Sequence, residues 1–109
     1  MKRQWEIYSI DDSEEVAVVV ISSDQVNDLL SHVTAIPMVS ASDQRDIYPN
    51  EARNKNSVIL AHQLRTVRTD RLTVRRGSIT DPQVREDVLQ ALLVQLGFRI
   101  QTELGRGGV

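Results

Sequence analysis

Five β-branched residues stand in the six-residue apolar run Val16-Ala17-Val18-Val19-Val20-Ile21. Side chains along a strand alternate between two faces, and β-branched residues suit a pleated surface. A strand made of this run is apolar on both faces, so it belongs in the middle of a sheet and needs cover on each side. The run is also the longest apolar stretch in the chain, far short of the ~20 residues that cross a bilayer as a helix. Trp5 to Ile10 alternates and predicts a strand, and the acidic group Asp11-Asp12-Ser13-Glu14-Glu15 turns the chain out of it. Ser22 to Leu30 predicts a short helical turn. His32 to Val39 predicts another strand, with Pro37 at an end, an edge or a bulge because it has no N–H to donate.

Ser40 to Asn56 is the longest polar stretch and predicts a loop or an irregular hairpin around Tyr48-Pro49-Asn50. Ser57 to Ala61 returns to strand character, and Val67 to Val74 predicts a short strand and a turn. Thr80-Asp81-Pro82-Gln83 opens the best helix, with Thr80 as its cap, Gln83 at the capping-box position and Pro82 in the first turn. Val84, Val88, Ala91, Leu92 and Leu96 recur at helical spacing, and Gly97 supplies the stop. Strands first and one long helix last predict a mainly β fold, a small barrel-like sheet with the C-terminal helix packed on it. One domain is expected over residues 1–98, followed by a flexible tail over 99–109.

A chain with 40% hydrophobic and 26% charged residues has the balance of a globular domain. Only Trp5, Tyr8, Tyr48 and Phe98 are aromatic, so Val, Leu and Ile must fill the core, and Trp5 and Tyr8 are expected there rather than stacked on a base. The absence of cysteine removes disulfides, thiolate ligands and a thiol nucleophile. His32 and His62 lie thirty positions apart and form no zinc pair. No secretory leader is readable, and a soluble cytoplasmic protein is expected.

A net charge of -2 argues against a nucleic-acid binder driven by bulk charge. The distribution is uneven, however. Residues 1–30 carry seven acids against two bases, whereas residues 62–76 carry five arginines (Arg65, Arg68, Arg71, Arg75 and Arg76) against one acid. Such a group is either a phosphate-binding rim or a solvated strand edge whose charges resist aggregation. Arg65 and Arg71 share strand parity and Arg68 does not, so a turn must intervene for all to converge.

Several short strings follow one another in order. They are Glu6-Ile7-Tyr8, Val19-Val20-Ile21-Ser22 with Asn27, Ile36-Pro37-Met38-Val39-Ser40, Ser57-Val58-Ile59-Leu60, Gln63-Leu64-Arg65-Thr66-Val67, Asp70-Arg71-Leu72 and Gly77-Ser78-Ile79-Thr80, closed by Leu96-Gly97-Phe98. This collinear set resembles the MazF/PemK toxins, the endoribonuclease halves of bacterial toxin–antitoxin modules. Its most specific piece is Ser57 to Thr66. The resemblance implies an SH3-like, plasmid-maintenance-toxin barrel acting as a homodimer, and cleavage of single-stranded RNA without metal or other cofactor. It also implies an antitoxin partner whose acidic, disordered tail covers the RNA groove, and no membrane.

Metal-free RNA cleavage needs a base for the 2′-hydroxyl proton, a cation for the charge that grows on the phosphate, and an acid for the leaving oxygen. Many members of that family carry an Arg-Pro pair at the start of the second strand and a Thr in the third. The matching positions here are Val16-Ala17 and Val39. Where the Kid/PemK branch has an Asp base, this chain has His62, and the cation two residues earlier is replaced by Leu60. Imidazole is a good base near neutrality, so His62 is the candidate base and Arg65 the candidate cation. Gln63 and Thr66 of the family string and Arg68, Arg71 and Arg75 of the basic cluster are candidate RNA-binding residues. A histidine at a strand end can also do no more than hydrogen-bond locally, and the acids of the Asp11–Glu15 turn would repel phosphate. Three readings stay open: a ribonuclease with a rebuilt site, a CcdB-type poison of DNA gyrase, and a toxin-fold binding protein without catalysis. The Trp-Gly-Ile segment of the gyrase poisons is not found after Phe98.

Overall fold

The computed structural model describes residues 1–42 and 45–98, so the tail expected over 99–109 lies outside the described residues. In chain order these form β1 (Glu6–Ile10), β2 (Ala17–Val20), α1 (Asp24–Leu29), β3 (His32–Ser40), β4 (Glu51–Asn54), β5 (Ser57–Leu60), β6 (Arg65–Arg68), β7 (Leu72–Ser78) and α2 (Pro82–Leu96). One seven-stranded sheet runs β4-β5-β3-β2-β1-β7, and β6 also pairs with β3. Each neighbouring pair is antiparallel. The mainly β fold with one C-terminal helix is therefore present as expected. No helix among the described residues is long and apolar enough to cross a membrane.

The apolar run becomes β2, and Val18, Val19 and Val20 are each 0% exposed. Alternation sends them to two separate cores. Val19 packs with Trp5, Ile36, Ile59, Ile79, Val88 and Ala91 beneath α2. Val18 and Val20 pack with Tyr8, Ile10, Val33, Val67 and Leu72 on the opposite face. Each such buried side chain contributes about 1.5–3 kcal/mol. Trp5 and Tyr8 are core residues, as their scarcity suggested.

Pro37 lies inside β3, opposite Val18, rather than at an end. Along its other edge β3 pairs with β6 through Ala35 and with β5 only from Met38 onward. Pro37 thus falls where that edge changes partner, and its missing N–H costs no ladder bond there. The chain joining β5 to β6 fills this interval with a 3-10 turn, Ala61–Gln63. The polar stretch after β3 takes the irregular-hairpin form, since β4 and β5 pair around Lys55, which adopts a left-handed φ of 55°. Val67 to Val74 is more than one short strand: it takes in the end of β6, a tight turn at Thr69–Arg71 and the start of β7.

The helix cap differs from expectation. Asp81, not Thr80, is the N-cap, and its carboxylate accepts the Gln83 N–H at 2.9 Å. Proline disfavours helical φ/ψ in the residue before it, so Asp81 stays extended and the helix begins at Pro82. Gln83 accordingly moves out of the capping-box position and bonds Asp87 instead. Val88 and Ala91 are buried, Val84 and Leu92 pack partly against the core, and Leu96 is exposed where the last turn runs off the sheet. Gly97 ends α2 with a left-handed φ of 80°.

Candidate functional site

The Ala61–Gln63 turn is anchored by Ala61, which is fully buried, while His62 and Gln63 face outward. The His62 ring nitrogen Nε2 lies 3.4 Å from Gln63 Nε2. The Gln63 side-chain oxygen in turn accepts from Arg65 Nη2 at 3.1 Å. Three of the residues singled out from the sequence are thus linked at one end of β5 and β6. Thr66 is also exposed on β6, opposite Thr34 of β3.

His62 borders a cavity of about 790 Å³ between the β4–β5 hairpin, the preceding loop and the end of α2. Val39, Leu60 and Val94 make apolar wall, and Tyr48 stands exposed at the rim. An Asn50–Gln95 hydrogen bond of 2.9 Å ties the loop to α2. The charged part is a group that the sequence did not mark. Glu51, buried on β4, accepts from both Arg45 terminal nitrogens at 3.1 and 3.2 Å and from the Tyr48 N–H at 3.0 Å. The Arg45 hydrogen bonds hold the Glu51 carboxyl below its ordinary range against the opposing effect of burial, and the Tyr48 amide and the charges of Arg45 and His62 act in the same sense as Arg45. A buried carboxylate so partnered remains charged and stiffens the loop that walls the cavity.

The other predicted RNA-binding arginines do not join this group. Arg68 bonds Asp70 at 2.7 Å, Arg71 bonds Asp11 at 2.7 Å, and Arg75 bonds Glu6 at 2.8 Å. Because β7 pairs with β1, Arg71 and Arg75 come to face Asp11 and Glu6 of the acidic segment, whereas Arg68 pairs locally with Asp70. The Arg71 hydrogen bonds lower the Asp11 carboxyl accordingly. In place of a single converging rim, the structure has these three ion pairs and the separate His62–Gln63–Arg65 group.

Val16 and Val39, the apolar stand-ins for the expected Arg and Thr, both line another cavity of about 340 Å³, and Val39 also borders the first. Among the described residues, no three His, Asp or Glu side chains are grouped to hold a metal ion.

A sequence profile described as "PemK-like, MazF-like toxin of type II toxin-antitoxin system" matches residues 3–96. No curated protein matches the chain. The fold superposes on an endoribonuclease in complex with its cognate antitoxin from a mycobacterial species, with a TM-score of 0.77 at 19% identity, covering 92% of this chain and 99% of that one. It superposes on the MazE-MazF complex of Deinococcus radiodurans with a TM-score of 0.70 at 17% identity, covering 91% and 97%. For the Mycobacterium tuberculosis toxin MazF-mt6 the TM-score is 0.69 at 14% identity, covering 87% and 99%.

Proposed function

The chain belongs to the PemK-like, MazF-like toxins of type II toxin–antitoxin systems, and on that premise we propose that it cleaves single-stranded RNA without a metal, at the turn that carries His62. The observation that supports this most is the linked His62–Gln63–Arg65 group, whose His62 lines the 790 Å³ cavity. In this reading the His62 imidazole takes the proton of a ribose 2′-hydroxyl. The 2′-oxygen then bonds to phosphorus, the bond from phosphorus to the 5′-oxygen breaks, and the 5′-oxygen takes up a proton from water. A 2′,3′-cyclic phosphate and a 5′-hydroxyl result. Arg65 stabilises the charge that grows on the phosphate oxygens, and Gln63 and Thr66 donate hydrogen bonds to the strand. Arg68, Arg71 and Arg75 bind phosphate only by exchanging Asp70, Asp11 and Glu6 for it, and so contribute less per residue.

The solved relatives in complex with antitoxins support a cognate antitoxin here, with an acidic disordered segment that competes with RNA for the exposed cations. A homodimer acting in the cytoplasm is part of the same proposal, as the family resemblance implies. Purified protein is expected to cut a long single-stranded RNA in the presence of a chelator and to arrest growth when expressed alone. RNA left intact across the pH range, together with inhibited supercoiling by DNA gyrase, would overturn this reading in favour of a gyrase poison.

A further inference from the structure

The arginines of residues 65–76 are not equivalent. Arg68, Arg71 and Arg75 are each paired with a carboxylate, whereas Arg76 forms no ion pair among the described residues. Its Nε donates to Ser9 Oγ at 2.6 Å, and its Nη2 reaches the Ser13 carbonyl at 3.4 Å. Ser9, next to the last residue of β1, is only 1% exposed. A buried hydroxyl that accepts from a guanidinium fixes its direction without cancelling its charge.

Arg76 thereby becomes part of the 340 Å³ cavity, beside Val16, Val39, Ser40, Asn54 and Ser57. Its other charges are Lys55 at the β4–β5 turn and Glu14 and Glu15 on the β1–β2 turn. The small hydroxyl and amide side chains suit the oxygens of a phosphodiester and a ribose. Val39 is a wall common to this cavity and the one that His62 borders, so one extended polyanion can lie along both.

We propose that Arg76 binds a phosphate of the RNA strand in this second cavity, with Ser9 as the residue that positions it. The inference rests on the ribonuclease reading above. It sets a cation beside Val16 and supplies it from β7.

The test is equilibrium binding of an uncleavable 2′-O-methyl oligoribonucleotide across a series of salt concentrations. Arg76→Ala is expected to weaken binding about tenfold. It should also flatten the slope of log affinity against log salt by about 0.7, the value of one lost phosphate contact on a single strand. Arg76→Lys keeps the charge and should keep the slope, with part of the affinity lost. Ser9→Ala should weaken binding and leave the slope unchanged. A folded Arg76→Ala protein with the wild-type slope would overturn the inference alone, as would Arg76→Lys losing the slope along with Arg76→Ala. A wild type that binds no single-stranded RNA would overturn the ribonuclease reading and this inference with it.

Discussion

At position 51 a carboxylate is buried and still charged, because Arg45 and the Tyr48 amide between them satisfy its oxygens. Its folded-state pKa lies below the ordinary 4.5, so the stabilisation it brings is present above that value and is lost as pH falls through the lower, folded one. Glu51→Gln is expected to cost about 2 kcal/mol at pH 7 in urea unfolding. The gap to wild type should close as the pH drops well below 4.5; a gap independent of pH would mean that the charge is not what matters. His62 and Arg65 were legible in the sequence because Ser57 to Thr66 carries both a strand pattern and a family string. Glu51 and Arg45 were not. They lie in a polar stretch without periodicity, and the burial of Glu51 arises only when β4 packs beneath α2.

Among the elements, β2 was the most legible, since three consecutive valines leave no polar face and the sheet must enclose them. The strand β3 was less so, because a proline inside a central strand contradicts local rules unless the neighbouring ladder is interrupted. That interruption is the His62 turn, and the same local exception that accommodates Pro37 therefore presents the candidate base. In α2 the cap was misplaced by one residue, because the constraint that Pro82 puts on Asp81 outweighs the capping-box pattern. Asp81→Ala should lower stability by about 1 kcal/mol in thermal or urea unfolding. Thr80→Ala should have a much smaller effect, and equal losses would contradict the assignment. Gly97→Ala should cost about 1–2 kcal/mol through its left-handed backbone, although there is open space around a Cβ at that position.

For the molecule as a whole, a net charge of -2 conceals opposed halves that the β1–β7 pairing brings together. Sequence showed the imbalance but not its cancellation, since the partners Asp11–Arg71 and Glu6–Arg75 are separated by most of the chain. In the proposed reading, the cations left for RNA are therefore few, with Arg65 and Arg76 foremost. If the ion pairs compete with phosphate, the double variant Glu6→Gln with Asp11→Asn should bind single-stranded RNA more tightly. Its salt slope should steepen by as much as about 1.4, two contacts at about 0.7 each. Unchanged binding in filter or anisotropy titrations would place Arg71 and Arg75 outside the interface. In the proposed reading the turn between β5 and β6 carries the cleavage chemistry. Single-turnover cleavage of one short oligoribonucleotide in chelator, by wild type and by His62→Ala, tests it most directly. Wild type is expected to leave a 2′,3′-cyclic phosphate and the variant to be slower by about 10²–10⁴-fold with its fold intact, whereas equal rates would contradict the claim.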